Sequence, residues 1–342
     1  MLRTRCTPMI QRLIGGAPHG GFRCFTDTAR KQTRVSVQDR VVVVTGAGRG
    51  LGRSYAHLFA QRGAKVVVND IGTSGDGEGT DDSVAQTVVQ EIRSKGGKAI
   101  ADTHDITEPE KAAKIIHNAV DEFGSIDILV NNAGICSSKQ FEDSSLADFE
   151  HYMKVHLGGH VNLTKAAWPY MKAQKRGRIV MTESASGLFG MDGQAIYSAA
   201  KGAIHGLMRV CALEGRKNGI LVNAVNPGGF SRMHVASIKE ADMLEKTREA
   251  MPPELVAPLI IYLGSDGLES TGEVFSAFAG RVARISIGTG PGYYDRSLTP
   301  ESLAEHMAEV NNAAPLYEPK FSLDEVEYWL PRVQGAGKGV SN

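Results

Sequence analysis

The segment TESASGLFGMDGQAIYSAAKGAI, residues 182–204, carries Ser184, Tyr197 and Lys201 among small residues. From Ala195, the run AIYSAAKGAIHGLMRVCALEGRK is rich in Ala, Leu and Met and lacks proline, which predicts a helix over 195–217. Tyr197 and Lys201 then stand one turn apart on one face. An ammonium beside a phenol favours the phenolate and lowers a tyrosine pKa from its usual ~10. Such a tyrosine exchanges a proton near neutral pH. The bland alternative is packing plus a solvated lysine, since Tyr and Lys at i and i+4 are common on helices.

Elements able to hold these residues alternate along the chain. VVVVT (41–45), KVVVND (65–70), KAIAD (98–102), IDILVN (126–131), GRIVMT (177–182), ILVNAV (220–225) and GEVFSAF (272–278) read as strands. Continuous apolar character in such short runs indicates burial on both faces. Helical segments lie between them near 50–63, 81–96, 108–124, 146–174 and 195–217. The alternation predicts an α/β fold of Rossmann type, a doubly wound seven-stranded parallel sheet in three αβα layers with right-handed crossovers. One domain is expected over 35–280. Residues 281–342, rich in Gly and Pro with one helix near Pro300, read as a C-terminal extension packed on it, with a loose end around GAGKG.

Ligands of such sheets bind at the carboxyl ends of the strands, and there the first strand runs into TGAGRGLGRSYAHLF. Gly46, Gly50 and Gly52 allow a sharp turn and close approach to a pyrophosphate. The helix opening at Gly50 and Leu51 offers its free N–H groups to the phosphates. Asp70 follows twenty residues after Gly50 at the end of the second strand, the spacing of a dinucleotide site. Its carboxylate accepts from both ribose hydroxyls of NAD and repels a 2′-phosphate, so NAD is expected over NADP. Arg49 is the dissenting residue, a cation able to hold that phosphate. Asp105 in HDIT is equally an acceptor for the adenine amine or a turn at a helix N-terminus. NNAG (131–134) brings Asn131 and Asn132 to the end of the fourth strand, where an amide also serves to bind backbone.

Formal charge over the 342 residues is zero, but its distribution is uneven. Residues 1–34 hold seven basic side chains against Asp27 alone, leaving the remainder at about −6, which argues against a nucleic-acid surface. This Arg-rich leader, with Arg23, Phe25 and Thr28 spaced as at a matrix-processing site, is expected to direct mitochondrial import. A disordered tail or translated upstream sequence are the alternatives, with a cytoplasmic location. No run of 18 apolar residues is present, so no membrane span is expected. Outside the leader, Cys136 and Cys211 form no disulfide or zinc pattern, and no metal is expected.

The ordered set TGAGRGLG, Asp70, NNAG, Ser184, YSAAK and NPG (226–228, bringing Pro227 and Gly228 to the site) resembles the short-chain dehydrogenase/reductase family over about 38–280. The resemblance implies that Tyr197 is the general acid/base, that Lys201 binds the nicotinamide ribose and lowers the tyrosine pKa, and that Ser184 orients the substrate oxygen. Longer stretches such as KVHLGGHVNLTKAAWPYMKAQKRGRIVMTESASGLFG are similar to the (3R)-hydroxyacyl-CoA dehydrogenase branch of multifunctional peroxisomal β-oxidation enzymes, also described as 17β-hydroxysteroid dehydrogenases. That implies an NAD-dependent alcohol/ketone oxidoreductase acting on a 3-hydroxyacyl-CoA or a steroid-like substrate. A non-catalytic dinucleotide-binding regulator, or a reductase of other small carbonyl compounds, are the alternatives.

Two positions depart from the family pattern. VHLGG places His156 where an asparagine usually relays the proton, either as a substitute relay or as a packing histidine. Glu183 stands where a small hydroxyl residue is usual; it either points away from Tyr197 or raises the tyrosine pKa. The family also implies a homodimer or homotetramer through helices 146–174 and 195–217, and the stripe Ile204, Leu207, Met208 and Cys211 is the expected contact. Lys239, Lys246 and Arg248 in the loop after Pro227 are candidates for coenzyme A phosphates or for a solvated lid.

Overall fold

The computed structural model describes residues 35–75, 77–230 and 240–336. The leader, Lys239 and residues 337–339 of the terminal GAGKG lie outside them. Val41–Val44 are all buried, and their side chains alternate between two hydrophobic layers. β1 (Val41–Thr45), β2 (Lys65–Asn69), β3 (Lys98–Asp102), β4 (Ile128–Asn131), β5 (Gly177–Thr182), β6 (Ile220–Gly228) and β7 (Val274–Phe278) form the parallel part of the sheet. The strand order is β3-β2-β1-β4-β5-β6-β7-β8, so the winding reverses between β1 and β4. A crevice opens there at the carboxyl ends.

Helices α1 (Gly50–Gln61) and α2 (Ser83–Ser94) bury one face of the sheet with the helix Ala257–Gly264. Helices α3 (Pro109–Phe123), α5 (Gly159–Ala173) and α7 (Ala195–Arg216) bury the other. Local chemistry fixes their ends. Pro109 opens α3 and the left-handed Gly124 closes it. Ser145 and Asp148 form a capping box at the start of α4 (Leu146–Met153).

Several expectations need correction. The sheet has eight strands, because β8 (Arg281–Ile285) adds antiparallel to β7 through a two-residue turn at Ala279 and Gly280, both at positive φ. RVARI hid this strand: it lies at the sheet edge, largely exposed, and lacks the apolar run of a buried strand. The expected helix over 146–174 is two helices, α4 and α5, joined by a π-helical turn at Lys154–Gly158. Residues 300–336 hold three helices rather than one: Pro300–Glu305, Met307–Val310 and Ser322–Ala336. Arg209 on α7 ties this extension down by donating to the Pro319 and Lys320 carbonyls.

On α7 the expected contact stripe faces inward instead. Ile204 and Met208 are fully buried against the sheet, and Leu207 and Cys211 pack on the same cluster. The open face carries Ala199 and, two turns on, Gly206, Val210 and Leu213 at successive turns. The apolar residues read as an interface are therefore core.

Candidate active site

Every sequence-predicted site residue among the described ones sits at the carboxyl edge of the sheet. Gly46 to Gly52 follow β1, Asp70 follows β2, Asn131 and Asn132 end β4, Ser184 follows β5, and Pro227 and Gly228 end β6. Asp105 lies in the loop between β3 and α3.

Around the β1 loop, space is set by backbone. A Cβ on Gly52 would stand 2.2 Å from the Gly46 carbonyl oxygen, so only glycine lets α1 start this close to the turn. Gly50, at φ +51, has nothing within 4 Å of where a Cβ would be, so the loop is open on the crevice side. Arg49, the N-cap, makes no side-chain cap bond to the helix, which leaves the first N–H groups of α1 available to an anion. Leu51, partly buried, packs under Gly229. These features fit a bound pyrophosphate.

Asp70 is coupled to that loop. Its Oδ2 accepts from Gly48 N at 2.8 Å and its Oδ1 from Gly72 N at 2.8 Å, each oxygen keeping lone-pair capacity for a ribose hydroxyl. Gly48 was not among the residues singled out; nothing in its sequence context separates it from other loop glycines. Arg49 Nη1 donates to the Thr73 carbonyl at 2.9 Å, so this cation is anchored to the segment after β2 rather than turned to solvent. Asn132 gives its amide hydrogens to the Thr45 and Gly46 carbonyls, at 2.8 and 3.2 Å, and thereby clamps the loop. Thr45 Oγ1 completes the clamp by accepting from Asn132 N and Ala133 N. Both Asp105 oxygens accept from Thr107, which is the turn alternative.

Across the crevice, Ser184 caps α6 (Ala185–Phe189) by accepting from Ser186 N, and its hydroxyl favours ionisation of the Tyr197 phenol. Lys201 is buried and donates to the Thr182 carbonyl at 2.7 Å, with its ammonium 5.8 Å from the centre of the Tyr197 ring. The expected lowering of the tyrosine pKa is not what the cofactor-free geometry gives. Burial pushes the Tyr197 phenol well up and draws Lys201 down to about 8, so desolvation outweighs the attraction between them.

His156 lies in the π-turn, which aims its ring at Tyr197 with centroids 5.5 Å apart, edge to face. Its Nε2 donates to the Ile135 carbonyl at 2.9 Å, which leaves Nδ1 as a buried acceptor with no partner in the protein. Burial holds the imidazole neutral. Tyr152, on α4, lines the same cleft as Tyr197 and shares a 2.7 Å hydrogen bond with Ser137. Spacing alone could not reveal this pair, because it joins a loop to a helix face. Glu183 is buried and turned toward His205, with Oε1 3.4 Å from Nδ1. Of the two alternatives for this carboxylate, it points away from the phenol.

Among the described residues no three His, Cys, Asp or Glu side chains converge as a metal site, and no helix is long and apolar enough to cross a membrane. A family model for short chain dehydrogenases matches residues 40–242. A putative short-chain type dehydrogenase/reductase of Mycobacterium tuberculosis is 41% identical over 277 residues, covering 81% of this chain and 95% of its own. The peroxisomal multifunctional enzyme type 2 of Mus musculus is 42% identical over 285 residues; these are 82% of this chain but 38% of that enzyme. The chain thus spans well under half of that relative. A 7α-hydroxysteroid dehydrogenase solved with NADH and 7-oxo glycochenodeoxycholic acid superposes with a TM-score of 0.65 at 26% identity, over 74% of this chain and 98% of that one.

The contact between Gly52 and the Gly46 carbonyl is testable by itself. Gly52→Ala forces the loop open, and NAD affinity measured calorimetrically is expected to fall at least about tenfold, about 1.4 kcal/mol. Unchanged affinity would show that the loop does not hold the cofactor.

Proposed function

The chain belongs to the short-chain dehydrogenase/reductase family, and from that premise we propose that Tyr197, Ser184, Lys201 and His156 carry out alcohol/ketone interconversion on a 3-hydroxyacyl thioester with NAD. The family binds a nicotinamide dinucleotide and acts on CH–OH groups. The observation that supports the assignment best is the buried Lys201, held on the Thr182 carbonyl at 2.7 Å with its ammonium 5.8 Å from the centre of the half-buried Tyr197 ring.

A bound nicotinamide supplies the acceptor or donor of hydride. The protein's residues manage the proton and the position of the substrate. In the oxidative direction, the Tyr197 phenolate takes the carbinol proton while Ser184 holds the same oxygen in line. Lys201, charged below about 8, supports the phenolate and offers N–H groups to a ribose. His156 presents a neutral Nδ1 acceptor toward the site, fit to receive a hydrogen bond from water on the path of the proton. A buried acceptor left without a partner favours this relay over plain packing.

For the substrate, the described lining of the cleft is mostly polar: Ser137, Lys139, Ser144, Asp148 and Gln194 stand beside Tyr152 and Tyr197, with Ile196 the only aliphatic side chain. A chain bearing polar groups suits this wall better than a steroid nucleus. Relative turnover of (3R)-hydroxyacyl-CoA and estradiol is the check, and a preference for estradiol would reverse the assignment. Lys246 and Arg248 leave little for coenzyme A phosphates, since they pair with Asp242 and Glu245 on their own helix.

Assembly follows from α7. We assign a homodimer or homotetramer to the open stripe of Ala199, Gly206, Val210 and Leu213, where small residues let a twofold-related helix approach closely. Val210→Glu is expected to lower the mass measured by light scattering to a smaller assembly. A monomeric wild type would sink the proposal.

Tyr197→Phe removes only the phenolic oxygen. NAD binding is expected to stay nearly intact while turnover drops about 100-fold or more, as for loss of a general acid/base. Retention of more than about a tenth of the rate would remove Tyr197 from that role.

Asp70→Ala should weaken NAD at least about tenfold, because charge-assisted hydrogen bonds contribute ~1.5–3 kcal/mol each. It also frees Gly48 N and Gly72 N, loosening the loop for both cofactors, so the informative quantity is the ratio of kcat/KM for NAD and NADP. That ratio is expected to narrow or invert, with Arg49 available to the 2′-phosphate. A wild type that already prefers NADP would show that Arg49 outweighs Asp70.

A further inference from the structure

The family reading leaves Glu183 without a task, and its surroundings are unusual. The carboxylate is 2% exposed, and neither oxygen has a hydrogen-bond donor among the described residues. A buried carboxylate without hydrogen bonds is unfavourable unless a positive charge compensates it. The elements packed around Glu183 narrow the source of that charge. On β6, Val225 accepts from its backbone N–H, and Asn226 is buried and uncharged. Helix α6, Ala185–Phe189, contains no titratable residue. Helix α7 supplies Lys201 and His205, which follow Tyr197 at successive intervals of four and share its face. His205 Nδ1 stands 3.4 Å from Glu183 Oε1, and 24% of its side chain reaches solvent.

Lys201 has the complementary problem. It is 3% exposed, and one carbonyl, that of Thr182, accepts from it. Around it lie Cys136 from the loop after β4, His156 and His160 from the π-turn and α5, and Tyr197 on α7 itself. Burial keeps both histidines neutral, His160 down to about 3, and pushes the Cys136 thiol up, so neither histidine nor thiol supplies charge near neutral pH. Glu183 directly follows Thr182, whose carbonyl holds the Lys201 ammonium, and both side chains are buried, so its carboxylate favours the charged form of Lys201 against desolvation.

We propose that Glu183 is a positioning residue for the proton chemistry: a buried carboxylate, backed by His205, that holds the positive charge on Lys201. It rests on the reading of Tyr197 and Lys201 given above. Keeping Lys201 charged keeps its N–H groups directed at Thr182 and the ribose, and keeps a cation beside the phenolate while Tyr197 holds or releases its proton. No bond is made or broken at Glu183. His205, 3.4 Å from the carboxylate, stands between it and solvent.

The test follows the lysine directly, in protein free of cofactor and substrate. With lysine labelled by carbon-13 at the ε position, the Lys201 resonance is identified by its loss in Lys201→Ala and titrated. The expected midpoint is about 8 in wild type. Glu183→Gln is expected to lower it by about one pH unit, the effect of removing one charge at short range in a partly polar interior. Glu183→Ser, which restores the small hydroxyl usual in the family, should lower it likewise, and Glu183→Asp should recover most of the shift. The alkaline limb of kcat/KM for oxidation should move down with the resonance, while KM for NAD at low pH changes little. The same midpoint in wild type, Glu183→Gln and Glu183→Ser would overturn the proposal. Failure of the functional reading would appear instead as turnover by Tyr197→Phe, which leaves the lysine titration standing.

Discussion

An ammonium taken out of water must be given acceptors and counter-charge by the chain that buries it. Lys201 meets this demand at the end of β5, where it donates to the Thr182 carbonyl at 2.7 Å. That single hydrogen bond fixes the register of α7 against the sheet. With it, Tyr197 lands one turn toward the crevice, beside Ser184, and His205 lands one turn away, beside Glu183. The small residues of the segment then have a reason. Gly187 packs against the backbone of Lys201 and Gly202, where a Cβ would come within 2.9 Å of it. The close approach that lets a lysine reach a strand carbonyl depends on that missing side chain.

The other half of the crevice is organised by backbone donors rather than by a buried charge. Asp70 accepts from Gly48 N and Gly72 N, so one carboxylate joins the phosphate loop to the segment after β2. Asn132 joins the same loop to β4. Asp70 and Asn132 therefore both shape the turn that would hold the phosphates of a dinucleotide, so a change at Asp70 also alters the geometry of the loop.

Much of this was legible in the chain. The buried strands announced themselves as Val- and Ile-rich runs, and β1, β3 and β5 have the boundaries that periodicity gives. Ser184, Tyr197 and Lys201 were visible because helical spacing alone brings the last two together. What escaped depended on contacts between distant segments. β8 is an exposed edge strand whose alternation is masked by Arg281 and Arg284. The π-turn at Lys154–Gly158 has no residue that forbids an ordinary helix, so tertiary packing of His156 must decide it. The inward face of α7 was misjudged because a 22-residue helix apolar on most sides does not say which side meets the sheet. Asn132 and Asp105 lie at the carboxyl edge of the sheet, where their hydrogen bonds go to protein.

The site divides its electrostatics along α7. On the side of the π-turn, His156 and His160 are buried and neutral, so they add acceptor capacity without charge. On the side of β5, Lys201 and Glu183 form the charged layer, reaching solvent through His205. Tyr197 lies between the two. A phenol in that position sees a cation on one side and uncharged imidazole on the other, and its own burial is what the cation must overcome. Placing the counter-charge behind the lysine, rather than beside the phenol, lets a carboxylate support the ammonium without opposing the phenolate. The same carboxylate turned toward Tyr197 would do the reverse, so the side-chain direction of Glu183 matters as much as its presence.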